Sequence, residues 1–248
     1  MNGRAGVQSV VLLLAGGALI RTATTGTYVR YVKPGLHWYL VAAGAVLVLV
    51  ALVNLARLFL ATTRPPTDEH HDHEPDDGHG HGHSRFEPSW LVVAPVLALL
   101  LVAPPALGSY AASHGGTALN ASGGSDFPPL PAGDPARVSL LEYASRAVFD
   151  QGRSLTGRTV TMSGFIVTDG DRRYLTRMII TCCAADARPV KVGLTGAVPP
   201  GLAADTWLEI TGTYTAKTDP DPVDGAPIPY VTVTTAQPIP APKEPYES

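Results

Sequence analysis

Long apolar windows dominate the first half of the chain, and short alternating runs dominate the second. Residues 5–20, AGVQSVVLLLAGGALI, carry no charge between Arg4 and Arg21. The window is short for a bilayer span, but RTATTG extends it to 24 if Arg21 snorkels. Residues 36–60 form a second window, opened by the interfacial set His37, Trp38 and Tyr39 and closed near Arg57. A third covers 90–112; it is uncharged, begins at Trp90 and contains Pro95, Pro104 and Pro105. Membrane helices tolerate such prolines better than soluble ones do. The competing reading of the first window is a cleaved signal peptide. For the other two it is a buried core helix, which their length and lack of a polar face disfavour. The pattern predicts three transmembrane helices, at about 5–24, 36–60 and 90–112.

Beyond a Gly/Ser/Pro linker at 113–136 the period changes. Leu140, Leu141, Ala144, Ala147 and Val148 share one face, which predicts a short amphipathic helix ended by Gly152. Five strand-like runs follow: 158–169, 173–184, 190–196, 206–216 and 229–239. Gly164 in the first run marks a bulge or bend. VPPGLAAD, at 198–205, has room for one helical turn. Five short strands and a short helix predict a mainly-β, OB-like barrel over 137–240, with a small sandwich as the rival and a tail at 241–248.

Composition sharpens this. The chain is 45% hydrophobic but only 16% charged, and the missing charge is concentrated in the apolar windows. Net charge is -3, with no basic stripe, so nucleic acid is not an expected partner. Arg4, Arg57, Arg64 and Arg85 flank one side of the predicted spans, and Arg21, Arg30 and Lys33 the other. No Lys or Arg follows the third window until Arg137. Translocated flanks are poor in these residues. The expected topology is a multi-pass plasma-membrane protein. Its N-terminus and the 62–89 loop face the cytoplasm, and its C-terminal domain is extracytoplasmic.

That loop holds six of the eight histidines: His70, His71, His73, His79, His81 and His83, interleaved with Glu69, Asp72, Glu74, Asp76 and Asp77. Imidazoles and carboxylates suit zinc or another divalent transition metal. A low-complexity tract gives only loose binding, and a solvated linker is the equal alternative. His37 and His114 stand alone.

The two cysteines are adjacent, Cys182 and Cys183, in RMIITCCAADARP. They fall at a strand end entering a turn. Strand alternation would send one thiol inward and the other out. A bridge between neighbours is strained, and no third cysteine exists for an ordinary one. The open readings are a packed thiol, a metal site with Asp186 or a histidine from a partner, and an intermolecular or redox contact. Asp186 and Arg188 otherwise read as turn residues within ion-pair reach. No hydrolase, kinase or dinucleotide motif is present, so no catalytic residues and no certain cofactor are assigned.

CCAADARPV at 182–190, DTWLEITGTY at 205–214, YVKPGLHWYLVAAG at 31–44 and APPALGSYAA at 103–112 together resemble a bacterial permease-subunit family. Its members join N-terminal membrane helices to a C-terminal double-cysteine domain of unknown function. The resemblance implies a non-catalytic accessory subunit paired with a larger multi-span permease. The alternative is a zinc-type metal-handling membrane protein using the histidine loop, the cysteines, or both.

Overall fold

A computed structural model describes residues 2–62, 105–119 and 127–247. It divides into two compact units, Met1–Thr27 with Gly35–Pro104 and Tyr28–Pro34 with Pro105–Ser248.

In the first unit, α1 (Asn2–Thr24) and α2 (His37–Thr62) are continuous helices. The stretches Gly6–Thr24 and Pro34–Leu60 are long and apolar enough to cross a membrane, with mean hydropathies of 1.5 and 2.4. Their contact is built on small residues. Ser9, Gly16 and Ala23 are buried at seven-residue spacing on α1, as are Gly44 and Ala51 on α2. A Cβ added to Gly16 would lie 2.8 Å from the Gly44 carbonyl oxygen. Such stripes let apolar helices approach closely where lipid offers no hydrophobic drive. Val46, Leu49, Leu52 and Phe59 point outward and are exposed.

Among the described residues these are the two helices that could span a membrane, one fewer than the sequence predicts. Residues 90–104 of the expected third lie outside the described residues. Its last part is corrected: 105–108 are not helical, and only α3 (Ser109–His114) forms, a six-residue helix. Gly108 is extended at its N-terminal end. Ala106, Leu107, Ala111 and Ala112 pack on the β domain. Apolar residues at the end of that window thus serve a protein core.

The β domain contains β1 (Ala136–Arg137), β2 (Thr159–Asp169), β3 (Arg172–Ile179), β4 (Arg188–Gly196), β5 (Trp207–Pro220), β6 (Pro227–Pro238) and β7 (Tyr246–Glu247). The five long strands close a barrel in the order β2-β3-β4-β6-β5 and back to β2. β4 and β6 run parallel and the other four barrel pairings are antiparallel. This is the five-stranded barrel that the sequence predicts. Within the barrel β2 serves two neighbours: its first half pairs with β5 and its second with β3, and Phe165 belongs to both ladders. Gly164 stands at this bend, where a Cβ would come within 2.6 Å of the Thr176 carbonyl oxygen.

The amphipathic helix predicted ahead of the strands forms, whereas the helical turn predicted at 198–205 does not. Residues 198–206 form turns, and α4 (Leu140–Phe149), which precedes the first long strand, contributes Leu140, Tyr143, Ala144 and Ala147 to the interior core. Its N-terminus is capped twice. Ser139 Oγ accepts the Glu142 amide at 3.0 Å, and the Glu247 carboxylate accepts those of Leu140 and Leu141 at 2.9 and 3.0 Å. The carboxylate also suits the positive end of the helix dipole.

A second cluster, with Phe165, Val167, Tyr174, Met178, Ile180 and Tyr246, covers another face of β2 and β3 beneath 106–112. The predicted tail therefore carries a core tyrosine and a helix cap. Part of the predicted linker is also built in: the Ala118 amide donates to the Pro189 carbonyl at 2.7 Å. Lys191 Nζ donates to the Gly115 carbonyl and the Asp221 carboxylate, both at 2.9 Å. Asp221 also accepts the amides of Thr117 and Val223, at 3.2 and 2.9 Å.

Candidate metal centre

β3 ends at Ile179, and the chain turns through 181–183 into a short 3-10 turn, Ala184–Asp186. The alternation of a strand therefore stops before the cysteines. Cys182 is exposed and Cys183 half-buried, and neither joins a core cluster. The expectation that one thiol packs inward fails for that reason. Instead the two sulfurs lie 3.7 Å apart as free thiols.

Asp186 organises the turn. Its Oδ1 accepts the Thr181 amide at 3.0 Å and its Oδ2 accepts the Cys182 amide at 2.8 Å. The Cys182 thiol and the Cys183 amide also bond to this carboxylate. Arg188, expected as a turn residue, reaches Asp224 at 3.6 Å and the Thr117 carbonyl at 3.3 Å.

One ligand atom each from Cys182, Cys183 and Asp186 fits within 4.8 Å of the others. The sulfur separation is informative. Two thiolates each bound at the usual zinc–sulfur distance in a tetrahedron lie about 3.8 Å apart. The observed spacing is close to that value. A hydrogen bond to the Asp186 carboxylate, with a second to Cys183, pushes the Cys182 thiol up to about 11. The same thiol, together with the Cys182 amide, holds Asp186 below the usual carboxylate range. Reactive redox cysteines sit in electropositive surroundings that favour thiolate. This pair sits beside an anion. A bound cation would offset that charge and favour deprotonated thiols.

A third segment completes the site. Residues 31–33, in the connection between α1 and α2, lie along the cysteine backbone. The Lys33 amide donates to the Cys182 carbonyl at 3.1 Å, and the Ala184 amide to the Tyr31 carbonyl at 2.7 Å. Val32 and Cys183 form an antiparallel bridge. Nearby, the Tyr246 hydroxyl donates to the Arg30 carbonyl at 2.9 Å. Sequence reasoning misses this element. Lys33 before Pro34 does signal extended backbone, but three residues are too few to read as a strand.

The other predicted site residues do not join this cluster. His70, His71, His73, His79, His81 and His83 lie outside the described residues. His114 meets the Tyr110 carbonyl at 2.8 Å and its ring at 4.5 Å. His37 stands edge-on to Trp38 at 5.2 Å. Separately, a groove of about 670 Å³ runs past Leu107, Phe165 and Trp207. Its Asp205 carboxylate is engaged by the Ser109 amide and hydroxyl, at 2.6 and 2.8 Å.

Residues 7–118 match the DUF1980 N-terminal domain, and residues 145–247 match the DUF1980 C-terminal domain. The chain thus carries both domains in order. This agrees with a two-part chain bearing a C-terminal domain, but the match carries no permease role. Comparisons with curated proteins and with solved structures found no match.

Proposed function

We propose that this chain, with its two DUF1980 domains, is a membrane-anchored, non-catalytic metal-handling protein. Its barrel would hold a zinc-type ion at Cys182, Cys183 and Asp186. The carrying observation is the 3.7 Å sulfur separation beside a carboxylate on an exposed turn. Three protein donors leave a fourth tetrahedral position open, unlike a closed four-ligand structural site. The barrel has its own closed core, so the ion is cargo and not a folding element.

Connectivity supports an orientation. Residues 28–34 join α1 to α2 and belong to the barrel's unit. If α1 crosses the bilayer, the barrel lies on the side opposite the N-terminus. Together with the charge pattern, this favours an extracytoplasmic barrel on a plasma-membrane anchor. The tract that follows α2 would then face the cytoplasm, so its histidines and the cysteines would not share one ion.

The second reading is an accessory subunit of a larger multi-span permease. It is favoured by the two-helix packing of α1 and α2, which offers no polar path of its own and leaves a broad apolar surface. Co-purification with a larger polytopic protein at native expression supports it; isolation of the chain alone opposes it.

Calorimetric titration of the full chain with Zn²⁺ tests the first reading. A tight one-equivalent phase that disappears in Cys182→Ser/Cys183→Ser is expected. Weak binding identical in both proteins would remove the thiols from the function.

A further inference from the structure

The cysteine turn is held from two sides. Asp186 binds its amides from within, and residues 31–33 bind its carbonyl and the following amide from outside. The two bonds from the outer segment bracket Cys183: one ends on the Cys182 carbonyl just before it, the other on the amide that follows it. The backbone at the two cysteines sets the direction of their Cα–Cβ bonds, and hence the sulfur separation. The same segment is covalently continuous with α1 and α2.

We infer that residues 31–33 are positioning residues for the thiol site, and that docking of this segment and occupation of the site strengthen each other. The ligand class rests on the metal reading proposed for this site, whereas the positioning of the thiols does not. Coupling of this kind is reciprocal: if the docked segment tightens metal binding, metal tightens docking by the same factor. Metal loading on the barrel would thereby bear on the connection between the two membrane-type helices.

The test uses the full-length chain in detergent. Lys33→Pro removes the amide that donates to Cys182, whereas Lys33→Ala keeps it. Iodoacetamide should alkylate the two thiols about three- to tenfold faster in Lys33→Pro, the range one hydrogen bond supplies, and at the wild-type rate in Lys33→Ala. The dissociation constant for Zn²⁺ alone should weaken by a similar factor in Lys33→Pro. In the wild-type chain, the Lys33 and Ala184 amides should exchange together and more slowly with Zn²⁺ present. Equal alkylation rates in all three proteins overturn the inference. So does free exchange at Lys33 beside a protected Ala184, a result that needs no variant and holds even if Lys33→Pro does not fold. If the wild-type chain binds no Zn²⁺, the proposed function falls, and the alkylation and exchange results alone decide the positioning role.

Discussion

Two carboxylate-centred clusters lie at β4, one on the strand through Lys191 and one just before it, and they differ in how their groups are partnered. Asp221 and Lys191 are buried, with side-chain exposures of 0% and 3%, and their charges are matched by each other and by backbone groups. Asp186, Cys182 and Cys183 lie on a turn, with one thiol exposed and the other half-buried. The first cluster has partners for its charges and fastens 115–117 and 221–223 to the barrel. The second leaves its thiols free, and on the metal reading proposed above it would hold a tetrahedral ion.

The largest expected break lies in the buried cluster. Asp221→Ala strands the buried Lys191 ammonium and should cost about 3–5 kcal/mol, read as a lowered urea midpoint. Replacing both members, Lys191→Met with Asp221→Leu, should recover much of that loss. If Asp221→Ala melts like wild type, the cluster is not a structural fastener.

Next comes the terminal cap. Glu247→Ala removes the acceptor of two α4 amides and the 3.6 Å ion pair with Arg177. The expected loss is about 2 kcal/mol by denaturant unfolding. Ser139→Ala, which removes the other cap, should cost about 1 kcal/mol.

The thiol cluster should barely register on the same scale. Cys182→Ser with Cys183→Ser should change metal-free stability by less than about 0.5 kcal/mol, as surface substitutions do. A loss comparable to that of Glu247→Ala would class the thiols with the structural cluster instead.

A pH effect is the smallest. The Asp150 carboxylate accepts from Ser154 and Arg153, which holds its pKa below the usual value. Its contribution is therefore present above the ordinary carboxylate pKa and is lost as pH falls through the lowered one. Acid unfolding of Asp150→Asn should show a shallower pH dependence over that window.

What was legible in the sequence follows the range of the interactions. The five strands showed in local runs of Val, Thr, Ile and Tyr, and Gly164 marked the bend of β2. The apolar α1 and α2 were also plain. Ambiguity entered where one residue type serves two surroundings. Ala106, Leu107 and Ala112 fit a lipid-facing helix as well as the protein face they cover. Tyr246 and Glu247 looked like a loose end because their partners, Leu107, Leu140 and Leu141, lie more than a hundred residues away. The thiol site was half legible. Adjacency of the cysteines and the spacing to Asp186 are local, whereas the backbone bonds from 31–33 join segments about 150 residues apart and leave no local trace.

The most direct test of an open thiolate site is a Co²⁺ titration of the full chain followed by absorption. Cobalt takes zinc's tetrahedral geometry, and a thiolate-to-metal charge-transfer band separates sulfur ligation from binding to imidazoles. One equivalent should raise that band, Zn²⁺ should abolish it by displacement, Cys182→Ser should weaken it, and Cys182→Ser with Cys183→Ser should lack it. Binding without a thiolate band, or a band unchanged in Cys182→Ser, would contradict the account.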